Sequence, residues 1–173
     1  MPVADLKTLE RDLAVYLTTI VRILNAPLYP FDYAAAADEI RSVVEQYQSA
    51  AGGEVDFKSI VDALTHFARE LREWRSRAES RRLGAANDDV ERRRHNRVLR
   101  RLARLLVPLN YARGERFDHD PAVKFGAVPR LEAATGFSAT PSELKPFLKV
   151  GLVREANKVR ATIREARELI TSS

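Results

Sequence analysis

The residues of this chain with metal-ligand chemistry are three histidines, His66, His95 and His119, and the run Asp118-His119-Asp120. A zinc hydrolase needs three or four ligands converging on one ion. His66 falls on the polar side of its helical pattern and reads as solvated. His95 lies near an apolar stripe and reads as partly buried and hydrogen-bonded. Neighbouring residues seldom chelate one ion alone, which sets Asp118-His119-Asp120 aside as a metal site. The chain has no H-E-x-x-H, no G-x-S-x-G and no phosphate-binding glycine loop. It has no cysteine, which removes thiolate zinc sites, disulfides and thiol nucleophiles. No catalytic set and no metal set emerges, so the expectation is a chain that is not an enzyme by itself and holds no cofactor.

Charge is the second source of chemistry. The balance of 29 basic against 24 acidic residues gives +5, and much of the excess sits between residues 93 and 104. Arg93, Arg97, Arg100, Arg101 and Arg104 share one side of a helical pattern with Arg94, opposite an apolar stripe of Val98, Leu99, Leu102, Leu105, Leu106 and Leu109. Such a face could track a phosphate backbone. The other reading is a solvated or interface face paired with carboxylates of neighbouring helices, for which Glu10, Asp12, Glu39, Glu45, Glu70 and Glu73 are available. The basic bias is weaker than nucleic-acid domains usually carry, so the solvated or interface face is preferred and nucleic acid is the disfavoured partner. Phe57, Phe67 and Trp74 lie on an apolar stripe and read as core, not as a base-stacking platform. A polar, aromatic-rich loop follows the arginine helix. It carries Arg116, His119 and Lys124 and is too long for a mere connection.

The elements that must position these groups are helices. With 173 residues, 45% of them hydrophobic, the chain can bury its own core. Leu6, Leu9, Leu13, Leu17, Ile20 and Leu24 make a first stripe, ending before Ala26-Pro27. The segment from Pro27 to Phe31 cannot be helical throughout. Asp32 can cap a second helix with Ile40, Val43, Val44 and Tyr47 on one face, broken by Gly52-Gly53. Asp56 can cap a third, in which Phe57, Ile60, Leu64, Phe67, Leu71 and Trp74 keep a clean 3.6-residue period. The arginine-faced fourth helix begins near Asp88 and is predicted to stop at Pro108. Thr140-Pro-Ser-Glu143 fits a capping box opening the last helix, with Leu152, Val159, Ile163 and Ile170 on its apolar side. Five amphipathic helices with one buried face each predict an all-α fold. The arrangement expected is an antiparallel four-helix-bundle-like domain over 26–173, an additional N-terminal helix in 1–25 and a long loop before the last helix. No apolar run has transmembrane length, and Met-Pro-Val-Ala-Asp is not a signal peptide.

Several short motifs carry a resemblance. Pro30-Phe-Asp-Tyr-Ala34 precedes one helix and Val55-Asp-Phe-Lys-Ser-Ile60 opens the next. Then come Asn96-x-x-Leu99-x-x-Leu102-x-Arg104, a loop with Arg116, Phe117 and His119, Pro129-Arg-Leu-Glu-Ala133 and Thr140-Pro-Ser142. Their order and spacing resemble the C-terminal helical domain of the transferrin receptor and glutamate carboxypeptidase II family. The chain departs from that pattern at Ala103, where the family has an acidic residue, and at Lys124-Phe125, where it has Lys-Tyr. The resemblance implies a non-catalytic helical domain that forms homodimers, attached to an upstream zinc-dependent protease domain whose last helix corresponds to residues 1–25. Zinc would then belong to the parent's protease domain. The resemblance also implies that the 110–128 loop, through Arg116, His119 and Lys124, contributes to the parent's substrate pocket, and that the setting is extracellular or periplasmic. The reading from another class is a free-standing helical module that binds nucleic acid or an acidic partner through the Arg93–Arg104 face. Apolar residues off the main stripes, Val15, Val21, Ile23, Val150 and Val153, favour a self-associating chain.

Overall fold

A computed structural model describes residues 5–81, 88–115, 117–119 and 123–172. The described residues are helical, with α1 at Leu6–Asn25, α2 at Tyr33–Ala50, α3 at Lys58–Arg81, α4 at Asp88–Tyr111 and α5 at Lys145–Thr171. A 3-10 turn spans Glu132–Gly136 between α4 and α5. Local chemistry sets the helix starts. The Asp32 carboxylate accepts from the amides of Ala34 and Ala35 and caps α2, while Asp56 accepts from Lys58 at 2.7 Å at the start of α3. Each of these satisfies first-turn donors that have no partner inside the helix. Gly52 and Gly53 turn the chain between α2 and α3 with φ of 63° and 78°, a region that glycine enters without steric cost.

Long-range side-chain pairs give the directions. Phe57 donates its amide to Gln48 Oε1, and Arg72 pairs with Asp38, so α2 and α3 are antiparallel. Arg94 donates to the Ser172 carbonyl at one end of α5, and Glu115, just past α4, pairs with Lys158 nearer the other, so α4 and α5 are antiparallel too. Arg160 with Ser59 and Arg167 with Glu70 show α3 and α5 running the same way. Successive helices from α2 to α5 therefore alternate, as in an up-and-down bundle. The core is one cluster in which Phe57, Phe67, Phe137, Ile40, Leu64, Leu102, Leu131 and Ile163 are fully enclosed. Leu71 and Trp74 are buried beside them.

Three local expectations are corrected. Pro108 does not end α4, which runs on to Tyr111, with the Ala112 amide donating to the Pro108 carbonyl at 2.9 Å. The proline is exposed and sits in the last turn, where its ring forfeits one ladder bond and the turn closes around it. The Thr140 hydroxyl does not cap α5. It donates backwards to the Gly136 carbonyl, and the Pro141 carbonyl receives the amides of Leu144 and Lys145 instead. The largest correction concerns α1. Its stripe was expected to be one of five buried faces, yet no residue of α1 is buried. The other four helices and the segment between α4 and α5, through Val128, Leu131, Ala134 and Phe137, complete the core without α1.

Candidate functional site

The segment between α1 and α2 lies against α3 and α4, fastened by Asn96 on α4 and Arg75 on α3. Asn96 on α4 accepts the Tyr29 amide at 2.9 Å and donates to the Pro27 carbonyl at 3.0 Å. A proline-rich stretch has few amides of its own to satisfy, so this two-way clamp is what places the root of α1. Replacing Asn96 by alanine should cost about 1–3 kcal/mol of stability, as two hydrogen bonds to half-buried backbone groups are lost. Urea denaturation checks this, and exchange of the Tyr29 amide should accelerate in the same variant.

Beside the clamp is a recess of about 160 Å³, lined by Tyr29, Phe31, Tyr33, Trp74, Arg75 and His95 among others. Phe31 lies 5.9 Å from both Tyr29 and Tyr33, centroid to centroid. Arg75 closes one side, donating to Glu79 at 3.0 Å and to the Phe31 carbonyl at 3.1 Å. The His95 imidazole stacks on the Trp74 indole, with centroids 3.7 Å apart and planes 10° from parallel. Desolvation by that packing, with the Arg75 cation a smaller contribution, lowers the His95 pKa to about 4. A histidine held neutral in the fold but protonated when unfolded stabilises the native state less as pH falls from 6.5 towards 4. Stability should therefore decline between pH 7 and pH 5. His95→Phe keeps a stacking ring without a titrating group and should flatten that decline; an equally steep decline in the variant would assign it elsewhere.

The loop after α4 is pinned at both ends. Arg130 donates to Glu115, Glu155 and the Gly114 carbonyl, and Lys158 joins the same two glutamates. Hydrogen bonds from these two cations hold the Glu115 carboxyl down to about 2. Further on, the Tyr47 hydroxyl donates to the Ala127 carbonyl and Gly126 donates to Glu132. Of the residues expected to form a pocket loop, His119 and Lys124 are exposed. Arg116, like Asp120, lies outside the described residues. Asp118 does not pair with Arg113; its carboxylate turns back to accept the Glu115 amide at 2.8 Å. Among the described residues no three histidine, aspartate or glutamate side chains converge as a metal would require, and no helix is long and apolar enough to cross a membrane.

Among the described residues, uncovered surfaces lie on α1, α4 and α5. On α1, Leu6, Leu9, Leu13, Tyr16, Leu17 and Ile20 are all at least half exposed, as are Val15 and Val21. On α5, Phe147, Val150 and Val153 are exposed as well. On α4, the expected ion pairs of the arginine face are not made by the carboxylates proposed for them. Glu45 pairs with Arg41, Glu70 with Arg167 and Asp12 with Arg11. Sequence reasoning found these residues but missed Asn96 as a clamp and Arg130 as a hub, because their partners lie far away along the chain. No family model, curated protein or solved structure matches this chain.

Proposed function

We propose that this chain is a non-catalytic helical domain that forms homodimers, of the kind that accompanies a zinc-dependent peptidase in the transferrin receptor and glutamate carboxypeptidase II family. The observation that carries the association is α1, a twenty-residue amphipathic helix with no buried residue. An apolar face of that extent on a soluble protein marks an interaction site. The resemblance supports the same reading, and four of its motifs adjoin observed elements, although Thr140-Pro-Ser142 does not cap α5. Phe31-Asp32 opens α2, Phe57 opens α3, Asn96 to Arg104 lies within α4, and Pro129 to Ala133 leads into the 3-10 turn. In a parent carrying the protease domain, that domain would cover the apolar face of α1. In this chain alone, the same face meets a second copy. Sedimentation equilibrium at micromolar concentration should give about twice the 19.5 kDa of the chain. A mass that stays at 19.5 kDa through a tenfold rise in concentration would overturn the homodimer.

A further inference from the structure

The arginine face of α4 is separate from the apolar surfaces and stands on its own geometry. At 100° per residue, Arg93, Arg97, Arg100, Arg101 and Arg104 fall within about 100° of arc and extend over about 16 Å of helix. All five side chains are exposed. Arg93 reaches Asp89 at 3.7 Å, whereas Arg97, Arg100, Arg101 and Arg104 make no ion pair or hydrogen bond among the described residues. Arg92 is held by Asp89, and Arg94, at the edge of the arc, adds its own charge while donating to the Ser172 carbonyl. The opposite side of the helix, through Val98, Leu99, Leu102, Leu106 and Leu109, is sealed into the core, so the stripe has a fixed orientation.

We propose that this stripe is a binding surface for the phosphodiester backbone of a nucleic acid, without reading its bases. Guanidinium is planar, permanently charged and matched to the two oxygens of a phosphate. Four unpaired arginines held on one helix face do not have to break internal ion pairs before engaging a polyanion. A folded protein partner fits less well. Stable protein interfaces centre on buried apolar anchors, and between Arg93 and Arg104 this arc contains nothing but arginine. The absence of asparagine, glutamine or aromatic side chains in that stretch of the arc removes base-edge and base-stacking contacts, which leaves affinity without sequence preference. Of the carboxylates available to pair with this face, Glu45, Glu70 and Asp12 are engaged by other cations, which leaves the stripe open to an external anion.

The test is fluorescence anisotropy of a labelled 20-base-pair DNA duplex titrated with the full chain at 50 and 200 mM salt. Binding in the micromolar range at low salt is expected, with log K falling against log salt at a slope of about −3 to −4 for four or so phosphates engaged. Arg97→Glu with Arg101→Glu should weaken binding at least tenfold and reduce the slope by about 2. The control is Arg154→Glu with Arg164→Glu, two exposed α5 arginines outside the stripe, which changes net charge by the same amount and should leave binding within about twofold. Equal losses in both double variants would mean general attraction and overturn the stripe as a site. Unaltered binding in the α4 variant, or no binding to the duplex at all, would also overturn it. So would capture by phosphatidylserine vesicles in place of the duplex, which would assign the stripe to an anionic lipid surface.

Discussion

Phe67→Ala should destabilise the domain by about 3–5 kcal/mol, the largest loss expected from any single truncation along α3. Phe67 has no exposed surface. It lies in the middle of the helix that packs against both α2 and α5, so no surface loop can collapse into the space its ring leaves. The cost has two sources, the transfer of the ring's apolar area and the cavity that close-packed neighbours cannot fill. Domains of this size have a total stability of only about 5–15 kcal/mol, so the variant should unfold at a much lower urea concentration with an unchanged slope. A loss near zero would mean that α3 is not the centre of the bundle. Thr65→Ala, two residues away on the exposed side of the same helix, provides the contrast, since surface changes of this kind usually stay within about 0.5 kcal/mol.

Phe67 also shows why the bundle was legible in the sequence. Phe57, Ile60, Leu64, Phe67, Leu71 and Trp74 recur at the helical period, and every one of them is buried. A period in hydrophobicity reports which face of a helix leaves water. It does not report what that face meets, and α1 has the same clarity of pattern with none of the burial. Pro108 was misread for a related reason: proline is incompatible with a helix interior, but one turn from the end its cost is small enough for the chain to absorb. Tertiary polar contacts were the least legible. Nothing local distinguishes Asn96 from a solvated asparagine, because its two backbone partners lie 67 and 69 residues away. The arginine face illustrates the same limit from the other side. Its composition was plain, but whether the carboxylates of neighbouring helices neutralised it depended on which of them faced α4.

Leu13→Asp combined with Ile20→Asp should weaken self-association at least a hundredfold while leaving the folded body as stable as before. Leu6, Leu13 and Ile20 are spaced by seven residues, and so are Leu9, Tyr16 and Ile23, between them. That is the a and d pattern by which two helices interlock side by side. In a two-fold pairing one patch meets its own copy, so each substitution acts twice across the interface. Fully burying a leucine or isoleucine contributes about 1.5–3 kcal/mol, and placing a carboxylate in the same seam adds a desolvation penalty. A change of a hundredfold corresponds to only about 2.7 kcal/mol, well inside what the lost burial provides. The bundle should not register the change, since Leu13 and Ile20 are 57% and 50% exposed and belong to no part of the core. Sedimentation equilibrium should return 19.5 kDa for the variant at concentrations where the proposed dimer of the unaltered chain would form. Urea midpoints taken at low concentration, where both are monomeric, should agree within about 0.5 kcal/mol. A variant that remains dimeric would move the interface to Phe147, Val150 and Val153 on α5, a further exposed apolar surface among the described residues. One that loses stability along with its partner would mean that α1 belongs to the core after all.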